Sequence, residues 1–197
     1  MTRCMALGCL TLILLPACAP EAPPADEGAP AAEPAAAPQA TPDDPIAMAM
    51  SAGPEAITSG ATIVQFGEGG AMTELRAGTN GWTCLPDDPN TPGDDPMCLD
   101  AAWQQFIEAY TKRETPQVSA VGIAYMLQGG RVPSNTDPFA TEPAPGESWI
   151  EDPPHIMIVV PDPSTLDALP TDPNHGGPYV MWKGTPYAHL MVPVVEN

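Results

Sequence analysis

Two stretches of this chain set a histidine two residues ahead of a methionine: "HIMIVV" from His155 and "HLMVPV" from His189, in a sequence with only three histidines. On a β-strand, residues i and i+2 point to the same face. His155 would then project beside Met157, and His189 beside Met191. If the two strands are neighbours, two imidazoles and two thioethers meet. That is a soft ligand set suited to copper, above all to the reduced ion. Plain packing competes with this reading. Methionine is a common core filler, and a histidine at a strand entrance often only hydrogen-bonds a loop carbonyl. In the first frame Met157 shares its face with Val159, as a core residue does. In the second, Pro193 takes the matching position, which marks an edge strand or a strand end.

Other residues with chemical potential are weaker. Asp87, Asp88, Asp94, Asp95 and Asp100 crowd the stretch "CLPDDPNTPGDDPMCLD", and calcium takes such oxygen ligands. Their order is not the D-x-[DN]-x-[DN]-G pattern of an EF-hand, and the prolines restrict wrapping, so solvated turns compete. Ser134, Asp137 and either His155 or His189 make a hydrolase triad on paper, since triad members need not be close in sequence. There is no G-x-S-x-G, H-E-x-x-H, Walker loop or dinucleotide fingerprint. His175, in "PNHGGP", reads as a loop residue. Trp82, Trp149 and Trp182 sit beside Gly, Ser or Lys, where aromatics serve binding surfaces or plug small cores equally well.

The elements that must position these residues are legible in outline. "DAAWQQFIEAYTKRE" (100–114) has Asp100 as a cap and Trp103, Phe106, Ile107 and Tyr110 at i, i+3, i+4 and i+7. This predicts one clear amphipathic helix, with Lys112 and Arg113 in its last turn and Pro116 as the stop. Ahead of it, Asp44-Pro45 opens a short helix interrupted near Gly53-Pro54. "ATIVQF" is a brief strand, and Asn80-Gly81 has the composition of a hairpin turn. The sheet is expected from "VSAVGIAYML", "HIMIVV", "PYVMW" and "AHLMVPV". Between the first two lies a long, polar, Pro-rich connection. The fold class is therefore α+β: a single small domain over 46–197, with a mainly antiparallel sheet and long Pro-rich loops.

Outside that domain the chain changes character. Arg3 precedes an apolar run from Met5 to Leu15. That is the charge order and length of a signal peptide (1–17), too short to span a membrane. Residues 19–45, rich in Ala, Pro and acids, offer nothing to bury and read as a disordered, extended tether. After Cys18 there are five Lys/Arg against 25 Asp/Glu, a balance of −20, which argues against nucleic acid as a partner. Of five cysteines, Cys4 and Cys9 fall in the signal segment. Cys84 and Cys98 remain as an even pair in an exported domain, where a disulfide is the default. Neither C-x-x-C spacing nor a neighbouring positive charge favours a redox or metal pair.

Leu15-Pro16-Ala17-Cys18 resembles the lipobox of bacterial lipoproteins, with Pro16 departing from the small or β-branched residue usual there. The resemblance implies cleavage before Cys18, thioether lipidation of Cys18 and acylation of the new amino terminus. Anchoring by two or more acyl chains is stable where one is marginal. Ala19 then implies the outer membrane, if the source is Gram-negative. "GTNGWTCLPDDPNTPGDDPMCLD", "YMLQGG…SNTDPFAT" and "GGPYVMWKGTPYAHLMVPV" are similar to an uncharacterised group of secreted or lipid-anchored bacterial proteins. That resemblance spans most of 46–197 and implies export and a single domain, but no activity, ligand or catalytic residue. The expected role is a lipid-anchored cell-envelope module that binds a protein or glycan partner without chemistry. Copper handling through the His-x-Met pairs and a hydrolase with an unrecognised site are the alternatives.

Overall fold

The computed structural model describes residues 44–67 and 71–194. The proposed signal segment, Cys18 and the tether up to residue 43 lie outside the described residues. Asp44 accepts from the Ile46 amide and caps α1 (Pro45–Ser51), with proline in its first turn. A missing N–H costs nothing at that position. A break at Gly53-Pro54 separates it from α2 (Glu55–Thr58).

Eight strands then build one sheet. They are β1 (Thr62–Phe66), β2 (Met72–Arg76), β3 (Thr83–Leu85), β4 (Met97–Leu99), β5 (Gly122–Met126), β8 (His155–Val159), β9 (Tyr179–Met181) and β10 (His189–Pro193). Their order is β2-β1-β3-β4-β5-β8-β10-β9. Only β1 and β3 run parallel; the other neighbouring pairs are antiparallel. The Pro-rich connection between β5 and β8 carries a separate ribbon of β6 (Gly130–Val132) and β7 (Ile150–Asp152). The α+β class, with its mainly antiparallel sheet and single small domain, is thus the observed one. The four strands expected from the C-terminal half form the adjacent block β5-β8-β10-β9.

Two expectations need correction. Asn80-Gly81 is a turn, but the strands on either side of it do not pair with each other: β2 pairs with β1 in antiparallel fashion, and β3 pairs with β1 in parallel. Tertiary anchors outcompete the hairpin. The Asn80 amide donates to the Ile57 carbonyl at 2.7 Å, and Arg76 clamps the end of α2 through the Thr58 and Ala61 carbonyls. In addition, helix α3 ends at Thr111, so Lys112 is its C-cap and Arg113 lies beyond it in left-handed backbone (φ 57°).

α3 (Ala101–Thr111) packs across the sheet as its apolar stripe predicts. Asp100 fixes its start: one oxygen accepts from the Ala102 and Trp103 amides, the other from the Ile123 amide of β5 at 2.7 Å. A single carboxylate thereby caps the helix and ties it to the strand below. The approach is so close that a Cβ at Gly122 would sit 2.7 Å from the Ala102 methyl and 2.8 Å from Val159. Trp103 and Phe106 are buried, with Leu85, Leu99, Ala124, Met157, Val159 and Met191 of the sheet among their core neighbours.

On the opposite face, α1 and its neighbours cover Ile63, Cys84 and Cys98. Cys84 and Cys98 are directly opposed on β3 and β4 and joined by a disulfide. The 3-10 turn Pro163–Leu166 buries Leu166 against Val180 and Ala188.

Candidate functional site

The core face of the β5-β8-β10-β9 block is an array of histidine and methionine. The antiparallel register sets Met157 of β8 against Met191 of β10. It also sets His155 opposite Met126 of β5, and His189 opposite Met181 of β9. The strands carrying the two His-x-Met frames are therefore neighbours, and all four residues are buried. Because the strands run in opposite directions, however, the histidines stand at opposite ends of the frame. His155 pairs with Pro193, which lies four positions along β10 from His189, about 13 Å of strand. The methionine pair lies between them. β10 is an inner strand, and Pro193 is its last residue.

Both imidazoles are held the same way. His155 Nδ1 lies 2.6 Å from the Pro153 carbonyl, and His189 Nδ1 lies 3.0 Å from the Tyr187 carbonyl. A carbonyl only accepts, so in each neutral ring Nδ1 carries the proton and Nε2 holds a bare lone pair. Neither Nε2 has a hydrogen-bond partner, although both atoms are buried. Burial holds the His155 ring below the usual imidazole range. Burial, with a smaller contribution from the His155 ring, holds His189 down to about 4, against the pull of the Tyr187 carbonyl. Both rings are neutral at physiological pH.

The two histidines and five methionines, residues 97, 126, 157, 181 and 191, line a cavity of about 920 Å³ between the sheet, α3 and the loops. That volume is in the range of sites for small organic ligands. Around His189 the walls are aromatic: Trp103, Phe106 and Trp182 meet it edge-on, at centroid distances of 5.2, 5.8 and 5.1 Å. Trp182, in left-handed backbone (φ 55°), donates its ring N–H to the Ser134 carbonyl and its amide to that of Asn135. The loop at the rim is thereby pinned. Tyr110 stacks between Phe139 and Trp182 and donates to the Pro138 carbonyl.

Two buried acids also line the cavity. Asp152 accepts a short hydrogen bond from the Tyr179 hydroxyl, yet burial pushes its carboxyl up to about 6. Burial likewise pushes Asp95 up to about 6, against the hydrogen bonds it accepts from the Asp88 amide and the Thr91 hydroxyl.

The remaining sequence candidates are placed differently. Ser134 Oγ accepts the Thr136 and Asp137 amides, and Asp137 caps the Phe139 amide, so both serve their own turn. The two buried histidines, as described above, bond backbone carbonyls through Nδ1, and no Ser-His-Asp chain is assembled among these residues. In the acidic loop Asp87 accepts from the Asp95 amide and Asp88 from Asn90, while Asp100 is spent on α3. Among the described residues no three His, Cys, Asp or Glu side chains form a ligand cluster. His175 is an exposed loop residue bonded to the Asp172 carbonyl. Trp82 packs on Tyr125 on the far side of the sheet, at 5.6 Å. Trp149 is half-buried, so of the three flagged tryptophans only Trp182 reaches the cavity.

Asp95, one of the acidic-loop residues the sequence offers to calcium, lines the cavity, whereas Met97, Met126, Met181, Asp152 and Tyr179 are site residues that the sequence does not single out. Their one local signal is period-2 alternation within short strands, and it becomes informative only once strand order is known. No protein-family model, curated protein or solved structure matches this chain.

Proposed function

We propose that this is a lipid-anchored cell-envelope module that binds a ligand in the cavity between the sheet and α3, without catalysing a reaction. The observation that carries this reading is the cavity itself. It is large, its walls include five methionines and five aromatic rings among polar loop residues, and it is lined by two histidines whose buried Nε2 atoms no protein group satisfies. Apolar walls with a few fixed polar points are the general form of a ligand site. Methionine walls adapt to the shape of what they hold. A hydrolytic role draws no support from the geometry, since Ser134 and Asp137 are engaged in their own turn. The tether and the lipobox-like Cys18 support anchoring in the envelope, on the sequence alone.

The test is methyl NMR of the full chain labelled with [13C-methyl]methionine, titrated with indole and 1-hexanol. Shifts concentrated on the five cavity methionines are expected. Uniform or absent shifts, or turnover of a hydrolase substrate panel that is abolished by a single cavity substitution, would remove the reading. Intact mass of the mature protein tests the anchor: an N-terminus without acyl chains overturns it.

A further inference from the structure

Two buried imidazoles, of His155 and His189, line the cavity. Each has its Nδ1–H committed to a backbone carbonyl, which fixes the tautomer and aims the lone pair of Nε2 elsewhere. This is how metal-binding histidines are commonly oriented. Each Nε2 is buried, lacks a partner and belongs to a residue only 2% exposed. Each ring also has a methionine directly across the ladder: Met126 for His155 and Met181 for His189.

We infer that the cavity binds cuprous copper at two half-sites, one formed by His155 with Met126 and the other by His189 with Met181, with the Met157–Met191 pair between them. The choice of ion follows from the donors. Thioether and neutral imidazole are soft or borderline ligands that select the reduced, monovalent ion. Zinc and calcium look for carboxylates, thiolates or several imidazoles, and no three such groups cluster among the described residues. A monovalent ion also costs less to bring into a dry pocket than a divalent one. Trp103, Phe106 and Trp182 pack edge-on around His189, whose Nε2 is buried. Two half-sites rather than one shared centre follow from the antiparallel register, which holds the histidines at opposite ends of the methionine pair. This inference rests on the ligand-binding reading above and names its ligand.

The experiment uses the same [13C-methyl]methionine-labelled full chain. It is titrated anaerobically with silver(I), the redox-inert counterpart of cuprous copper, and then with the cuprous acetonitrile complex. The expected result is two retained ions per chain by native mass spectrometry, with shifts at the Met126 and Met181 methyls. His189→Ala should reduce the stoichiometry from two to one and silence Met181 while Met126 still responds. His155→Ala should do the converse. Met181→Leu and Met126→Leu, which conserve volume, repeat the test in an intact core. No retained metal, or two ions still held when both histidines are replaced, would overturn the inference. Loss of both responses in each single variant would mean one shared ion and overturn the two-site arrangement. If indole shifts the cavity methyls and the metals do not, the copper inference falls alone; if neither acts, the binding reading falls with it.

Discussion

Replacing His189 by asparagine tests the central claim about the site, that its imidazole is dry and neutral. The asparagine amide can still donate to the Tyr187 carbonyl, as the ring Nδ1 does at 3.0 Å, but it does not titrate. In the unfolded chain a histidine has a pKa of about 6.5, whereas in the fold His189 is held down to about 4 by burial. Between those values the unfolded state binds the extra proton, so stability rises with pH and is lost as pH falls. Integrating the linkage for this one group gives a loss of roughly 1 kcal/mol at pH 5.5 and roughly 2–3 kcal/mol at pH 4.5, both relative to pH 7.5.

The whole protein's pH profile conceals this loss. Asp95 and Asp152, each raised to about 6, gain stability by protonating over much of the same range. The wild-type-minus-variant difference cancels those shared contributions. Urea unfolding at pH 7.5, 5.5 and 4.5 should show the variant weaker at pH 7.5, because it leaves a cavity. The gap should then narrow by roughly 2–3 kcal/mol at pH 4.5. A gap constant to within about 0.5 kcal/mol would show that the ring titrates alike in both states. It would then be hydrated, and the bare buried lone pair on which the site rests would not exist.

Three further outcomes are expected. Reducing the Cys84–Cys98 disulfide, whose sequence separation is 14, should cost about 3 kcal/mol in the chain-entropy model, read as a lower urea midpoint. Gly122→Ala should lower stability by about 1–3 kcal/mol in thermal unfolding, because its Cβ would press on Ala102 and Val159. Tyr179→Phe should strip the buried Asp152 carboxylate of its donor and cost roughly 1.5–3 kcal/mol at pH 8. That loss should be smaller at pH 5, where Asp152, already raised to about 6, is largely neutral.

How much of this was readable in advance depends on the range of the interaction. The helix over Trp103, Phe106, Ile107 and Tyr110 was legible with its Asp100 cap, because helical periodicity and capping are local. The four C-terminal strands were legible for the same reason. The three-residue strands β3, β4, β6, β7 and β9 carry too few alternations to register alone, and only β9 fell inside a run long enough to be noticed. The Asn80-Gly81 hairpin was misread because dipeptide preference is worth less than the Ile57, Thr58 and Ala61 carbonyls that Asn80 and Arg76 reach across the fold.

The sequence by itself determined that His155 and Met157 share one strand face, as do His189 and Met191. Side-chain alternation is a property of each strand alone. It determined equally that Cys84 and Cys98 were the pair available to bond within the domain. Only the tertiary structure decided that the two His-x-Met strands are neighbours and antiparallel, so that the methionines meet while the histidines stand apart. Only it supplied Met126 and Met181 as their partners, and the Pro153 and Tyr187 carbonyls that fix both tautomers. Strand order and direction come from burying the whole sheet under α3 at once, a balance of long-range contacts that no local stretch of residues encodes.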